Sequence, residues 1–308
     1  MDLEKIKKNK TIKELLEFSI INIDKPSGPT SFQVDDYTKK SFGLSKTSHF
    51  GTLDPKVTGV LPVALGRACR LSEYFMHKDK TYVGIMHLHK EIEKKELEKE
   101  MQKFIGKIKQ LPPIKSRVKR EEREREIKSF EILEKNEKEV LFLAEVEAGT
   151  YIRKLVHDLG LKIGGAHMTE LRRIKAGIFS EEDENFVNLY NFKEAVEEFE
   201  KGNEEKLRKM LIPAEVISQI LPVVKVKEES MKSLLTGKPL MKQDLENKEI
   251  PDLEIFVVFC GEKFIEVARK TEEASEYKRT GERNGRTEQV RGGASEKDII
   301  ARPEFVLN

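Results

Sequence analysis

The sequence predicts a mixed α+β chain: a large core of strands and helices with antiparallel hairpins, followed by a small domain of strands. Three observations carry this expectation. Ile20 to Ile23 is a strand-like run closed by the Lys25-Pro26-Ser27-Gly28 turn, and a helical pattern follows at once. Phe130 to Leu133 and Val140 to Val146 flank the charged Glu134 to Glu139, as the arms of a hairpin flank their turn. Beyond Pro213 and Pro222, the runs Val223 to Val226, Ile255 to Phe259 and Phe264 to Val267 are strand-like, with Gly261-Glu262 in a hairpin position between the last two.

The remaining elements follow in order. Residues 1 to 19 are rich in Lys and Glu, with Ile6, Ile12, Leu15 and Leu16 at roughly helical spacing, so they read either as a short surface helix or as a solvated arm. Phe32 to Lys40 reads as a helix capped by Thr30 or Ser31. Thr81 to His89 is strand-like because β-branched and aromatic residues dominate it. Glu91 to Phe104 and Ile152 to Leu159 read as helices, and Leu189 to Met210 is helical and acidic. Thr271 to Lys297 holds almost no apolar residue and reads as a polar insertion. The expected organisation is an arm over 1–19, a core domain over 20–220, and a second domain over 221–308 that carries the insertion 271–297.

Composition narrows the function classes. Charged residues make up 36% of the 308 positions, against about 25% in ordinary globular chains, yet 57 Lys and Arg face 55 Asp and Glu. A near-neutral total gives no general attraction to phosphate, so any nucleic-acid binding has to come from local basic patches. The abundance of Glu and Lys without any Trp suits an ion-pair-rich surface of the thermophilic kind. Cys69 and Cys260 are far apart and form no CxxC pair, so neither a disulfide framework nor a zinc site is signalled. No apolar run approaches the ~18 residues of a membrane span, and the charged beginning of the chain is unlike a signal peptide, which fits a cytoplasmic setting. The chain has no GxGxxG and no Walker loop, so no cofactor is expected.

The densest motif is His49-Phe50-Gly51-Thr52-Leu53-Asp54-Pro55-Lys56-Val57-Thr58-Gly59. Two glycines and a proline shape its backbone around one acid, Asp54, and such a turn aims a side chain. The plain alternative is a polar loop with a capping Asp. A nucleophile or a general base fits better than a metal ligand, because nothing nearby supplies further ligands. His87 and His89 share one face of a strand but lack a third ligand at suitable spacing, so no metal is expected.

Read whole, His49 to Leu61 resembles the catalytic motif of the TruB and dyskerin superfamily of pseudouridine synthases. Four more blocks resemble that family in the same order: Asp24-Lys25-Pro26-Ser27-Gly28-Pro29-Thr30-Ser31, Lys80-Thr81-Tyr82, Gly149-Thr150-Tyr151-Ile152-Arg153 and Gly165-Ala166-His167-Met168-Thr169-Glu170-Leu171-Arg172-Arg173. The wording is of the archaeal, dyskerin-like kind, and residues 221–308 resemble, more loosely, the PUA domain of such enzymes. The resemblance implies an α+β pseudouridine synthase core with a small C-terminal β-barrel domain, acting as catalytic subunit of an H/ACA guide-RNA particle. Its expected partners are guide RNA, substrate rRNA or tRNA, and the particle's small proteins.

By the same resemblance Asp54 is the catalytic acid, Arg153 pairs with it as a partly buried ion pair, and Tyr82 stacks on the everted base. Tyr151 is the second pocket tyrosine, and it would share a face with Arg153 if that stretch is extended. Leu171 is the apolar wall beneath the base, with helix packing as its plain alternative. His49 and Lys80 meet the substrate, although Ser48 and Phe50 depart from the small residues usual beside the histidine. Lys25 and Pro26 support the loop from behind. Lys115, Arg117, Lys119, Arg120, Arg123 and Arg125 form a clamp on substrate RNA, extended by Arg172 and Arg173. From spacing alone the segment reads first as a solvated, self-paired charge run, since Glu121, Glu122, Glu124 and Glu126 interleave with its cations, and it is the resemblance that reverses the order.

Overall fold

The computed structural model describes residues 1–112, 119–247, 250–271 and 298–308. They divide into two compact units: Thr11–Ile212, and Met1–Lys10 with Pro213–Asn308. The division lies a few residues before the expected boundary at 220/221, because Ala214, Val216 and Ile217 are buried in the segment directly after Pro213. The expected arm also divides. Leu3–Asn9 is a helix capped by Asp2 and belongs with the C-terminal residues, whereas Ile12–Glu17 is a second helix, closed by a Thr11/Glu14 capping box, and belongs to the larger unit.

The larger unit is built on one mixed sheet. Its strands are β1 (Ser19–Lys25), β2 (Thr47–His49), β3 (Thr58–Leu65), β4 (Lys80–Leu88), β5 (Gly106–Gln110), β6 (Arg123–Asn136), β7 (Glu139–Val146), β8 (Ala166–Ala176), β9 (Phe179–Ser180), β10 (Val187–Asn188) and β11 (Leu211–Pro213). The main path runs β10-β1-β3-β8-β4-β7-β6-β5. Pairing is mainly antiparallel, with β1/β10 and β3/β8 parallel. Strand β3 has no polar alternation, and from Gly59 onward every one of its residues is buried, as expected for a central strand covered on both faces. Strand β8 carries four charged residues along Ala166–Ala176 and has no apolar period at all. Both strands escape a pattern-based reading for these reasons.

Helices cover the sheet by simple periodic logic. Ile152–Ile163 buries Ile152, Leu155, Val156 and Leu159, one stripe at helical spacing. Its Gly160 lies so close to β8 that a Cβ there would stand 2.5 Å from the Ala166 nitrogen. The acidic stretch after Leu189 is two helices, Leu189–Glu200 and Glu205–Met210, separated where Gly202 takes φ +92°. The Ser31–Ser41 helix is capped by Thr30, with Gln33 closing a capping box.

In the smaller unit five strands, β12 (Val223–Lys225), β13 (Leu240–Met241), β14 (Ile255–Cys260), β15 (Lys263–Lys270) and β16 (Ile299–Val306), run in the order β12-β14-β15-β16-β13. Val224, Val226, Leu234, Phe256, Val258, Ile265 and Ile300 belong to its core. Glu266 is buried beside this core, opposite Val258 and Val306, and neither carboxyl oxygen has a hydrogen-bond partner. Burial, reinforced by the charge of Asp244, raises its pKa from 4.5 to about 8. Because the folded value lies above the ordinary one, the stability tied to this proton is fully present below pH 4.5 and is lost as pH rises toward 8. Glu266→Gln should therefore flatten the fall in stability between pH 5 and pH 8, measured by urea unfolding of the whole chain; an unchanged pH profile would contradict the assignment.

Candidate active site

The loop between β2 and β3 carries Asp54, and side chains from four surrounding segments hold it. The buried ammonium of Lys25, at the end of β1, donates to the carbonyls of Pro26 (2.9 Å), Pro55 (3.0 Å) and Val57 (2.8 Å). Ser31, first in its helix, accepts from the Leu53 N–H at 2.8 Å and donates to the Leu53 carbonyl at 3.1 Å. The Val57 N–H closes the turn onto the Asp54 carbonyl at 3.0 Å. Burial lowers the pKa of Lys25, with the Asp54 charge opposing that fall and Arg173 adding to it. Gly59, at φ +101°, is obligatory: a Cβ there would stand 2.2 Å from the Arg173 carbonyl oxygen.

Arg153 reaches the acid from the first turn of the Ile152–Ile163 helix, donating from Nη2 to Asp54 Oδ2 at 2.9 Å. The pair is not partly buried as expected. Its side chains are 58% and 57% exposed, so it adds about 1 kcal/mol or less to stability, and its consequence is orientation. Tyr151 does not share an extended face with Arg153, because Ile152 already begins the helix and Tyr151 is its N-cap. Its backbone is gripped from both sides by the buried Gln110: the Tyr151 N–H donates to Oε1 at 3.0 Å, and Nε2 donates to its carbonyl at 3.2 Å. No motif singled out Gln110; its only signal is a buried amide at the end of a strand.

Tyr82 is nearly buried in the middle of the sheet, directly opposite Arg173 of β8 and Ala144 of β7. Two residues on, Gly84 pairs with Leu171, which is half-buried on a strand rather than on a helix. A Cβ at Gly84 would come within 2.6 Å of the Phe142 ring and 2.9 Å of Leu171 Cδ1. The glycine thus lets these two side chains close over the backbone.

Several expected RNA contacts turn inward. Arg173 is 1% exposed; its Nε donates to the Val60 carbonyl at 2.8 Å and its Nη2 to the Gly51 carbonyl at 3.0 Å, so it cannot extend a surface track. Arg172 forks onto both oxygens of Asp24 (2.9 and 3.2 Å) and donates from Nε to Glu181 at 2.7 Å, which commits its charge internally. Lys80 is 4% exposed, and its ammonium donates to the carbonyls of Met76 and Lys78 instead of facing substrate. His49 is held through one ring nitrogen by Asp35 and through the other by the Thr52 hydroxyl at 3.0 Å. Phe50 is buried and stacks on Phe75 at 4.8 Å, with Phe179 beside both, so the departure from a small residue serves packing.

Of the clamp segment, Lys115 and Arg117 lie outside the described residues. Lys119 pairs with Glu121 at 2.8 Å, Arg123 lies 3.6 Å from the same carboxylate, and Arg120 is exposed. Arg125 lies against Gly149 and 3.6 Å from Glu147. The exposed pairs are weak enough to be exchanged for phosphate. His87, His89 and His167 gather at the far end of β4 and β8, with His89 Nε2 and His167 Nδ1 3.0 Å apart and His87 bonded to Glu139. Among the described residues no group of three His, Cys, Asp or Glu is arranged to hold a metal ion, and no helix is long and apolar enough to cross a membrane.

Comparison with known proteins places the chain in a family. Residues 39–152 match the description "TruB family pseudouridylate synthase (N terminal domain)", and residues 153–218 match "tRNA pseudouridylate synthase B C-terminal domain". The chain belongs to the TruB family of pseudouridylate synthases. It is 43% identical, over 74% of its length, to the probable tRNA pseudouridine synthase B of Nanoarchaeum equitans, and spans 66% of that protein. With the protein of the same name from Methanopyrus kandleri it shares 46% identity, over 73% of this chain and 67% of the relative. Among solved structures, a chain of a Cbf5-Nop10-Gar1 complex superposes with a TM-score of 0.81 and 35% identity, over 97% of this chain and 88% of the other. A chain of an H/ACA RNP bound to a substrate RNA containing 2'-deoxyuridine gives 0.79 and 33% over the same 97%.

The buried Lys80 has its pKa lowered from 10.5 to about 7 by burial, with Arg173 adding to the fall and Asp79 opposing it. A folded value below the ordinary one means that the folded state refuses a proton the unfolded chain accepts, so stability rises with pH between about 7 and 10.5. Relative to Lys80→Met, the wild type should gain stability across that window with the slope of one proton. Parallel unfolding curves for the two proteins at pH 7 and pH 10 would contradict this.

Proposed function

We propose that this protein isomerises uridine to pseudouridine in RNA, with Asp54 as the catalytic carboxylate, Arg153 as its anchor and Tyr82 as the stacking face for the everted base. The observation that carries the reading is the 2.9 Å bond joining Arg153 to Asp54, two motifs 99 positions apart. The reaction breaks the bond between uracil N1 and the ribose C1′, turns the freed base, and joins C5 to the same carbon. The proton leaving C5 is balanced by one gained at N1. No atoms are added to or lost from the nucleotide, so a carboxylate at the sugar, a lid against escape of the base and a stacking surface are sufficient. Tyr82, Leu171 and Tyr151 form the proposed pocket, and base–aromatic stacking of about 1–3 kcal/mol offsets the stacking lost on eversion. Lys25, Pro26 and Ser31 keep the Asp54 turn in place.

The favoured substrate is rRNA, with the chain as catalytic subunit of an H/ACA guide-RNA particle in the cytoplasm, assembled with that particle's small proteins. Support comes from the superposition on chains of H/ACA complexes over 97% of the length, which includes the C-terminal unit. That unit is proposed as the PUA-like domain that holds guide RNA, and Lys115, Arg117, Lys119, Arg120, Arg123 and Arg125 as the clamp on substrate. A second reading, guide-independent modification of the tRNA T-loop, is favoured by the names of the sequence relatives.

Asp54→Asn is expected to abolish pseudouridine formation while RNA binding persists; turnover by this variant would sink the reading. Assaying a guided target and a tRNA, each with and without guide RNA, separates the two substrates. Activity on tRNA alone would select the second. Neutralising Arg117, Lys119 and Arg120 together should reduce the slope of log affinity against log salt by about 2, at ~0.7 per phosphate contact on single strands. An unchanged slope would remove the clamp.

A further inference from the structure

We infer that Arg173 is a positioning residue for this reaction, a buried guanidinium that holds the Asp54 loop and the Tyr82 side chain in one frame. The inference rests on the pseudouridine synthase reading and adds a residue to it. Two contacts on either side of Asp54 come from one planar group: Nη2 donates to the Gly51 carbonyl in the loop, three residues before it, and Nε to the Val60 carbonyl in β3, six residues after it. On the neighbouring strand Tyr82 stands directly opposite Arg173, and its phenol lies close enough to interact electrostatically with the guanidinium. At this hub the backbone of Gly59 comes so close that a Cβ there would collide with the Arg173 carbonyl, while Gly51, at φ +115°, lies within ordinary contact of Arg173 Nη1.

Burying a full charge is costly, and a position that only filled space would be served better by an apolar side chain. A guanidinium spreads five N–H donors over a rigid planar fork, so Arg173 reaches the Gly51 and Val60 carbonyls from separate nitrogens, whereas an ammonium such as that of Lys25 must gather its acceptors around one atom. Lys25 holds the other half of the loop, at Pro55 and Val57, while Ser31 holds Leu53. The two buried cations therefore suspend the Asp54 segment from both sides, and only Arg173 also reaches the stacking face. A shift of about 1 Å between a reacting group and its target costs about 10²-fold in rate, so loss of this frame should be read in turnover.

The test compares the full-length wild type with Arg173→Lys, which keeps the charge but not the fork. Single-turnover pseudouridine formation should fall about 10²-fold, RNA affinity should stay within about twofold, and amide hydrogen exchange over residues 51–60 should accelerate while the Ile152–Ile163 helix and the C-terminal unit exchange as before. Unchanged turnover, unchanged exchange in the loop, or a loss of RNA affinity large enough to account for the rate would each overturn the inference. If Arg173→Lys does not fold, Gly51→Ala disturbs the acceptor and leaves the arginine in place, and the same readouts apply with the same expected directions. Failure of the wild type to make pseudouridine would overturn the functional reading instead, and the exchange measurement would still decide whether Arg173 holds the loop.

Discussion

Backbone carbonyls held by buried cations are the constraint on which the rest of this site depends. The Asp54 loop has no ladder of its own between His49 and Thr58. Its carbonyls at Gly51, Pro55 and Val57 are met by Arg173 and Lys25, both withdrawn from water. A charged donor in a low-dielectric setting binds a carbonyl more strongly than a neutral one, and it makes any other loop conformation leave an unpaired charge behind. The loop is therefore rigid because its supports cannot be left unsatisfied. The exposed bond between Arg153 and Asp54 then has only to orient a carboxylate whose backbone is already placed.

The same logic separates residues that resemble surface RNA contacts from residues that face water. Arg172, Arg173 and Lys80 are basic and lie beside the pocket motifs, yet their partners are Asp24 and Glu181, loop carbonyls, and helix-end carbonyls respectively. Adjacent residues on a strand point to opposite faces, so Arg172 and Arg173 cannot both serve one surface. Here one clamps β1 to the Glu181 turn, and the other enters the core. The cations that remain exposed, Lys119 and Arg120 among them, sit among interleaved glutamates, where weak ion pairs keep the segment soluble without committing it.

Local chemistry made much of the chain legible. The Thr30 cap, the β1 strand, the β6/β7 hairpin and the Gly261 hairpin follow from capping residues, β-branched runs and a glycine at positive φ. The central strands β3 and β8 were not legible, because β3 is apolar on both faces and β8 is charged in its middle, so neither shows the two-residue period that marks a half-buried strand. Gln110 was invisible for a related reason, since a buried amide at a strand end has meaning only once Tyr151 is brought to it.

Sequence alone determined the chemistry available: one aspartate in a glycine- and proline-shaped turn, an arginine after Tyr151, a tyrosine in a strand, and no cluster of cysteines to suggest a metal. Tertiary structure decided which cations serve that chemistry and which serve the fold. Burial cannot be read from a charged side chain's identity, because a lysine or arginine is stable inside only when particular carbonyls, contributed by distant segments, are there to receive its protons. Lys25 and Arg173 meet those carbonyls only after β1, β3 and β8 have come together.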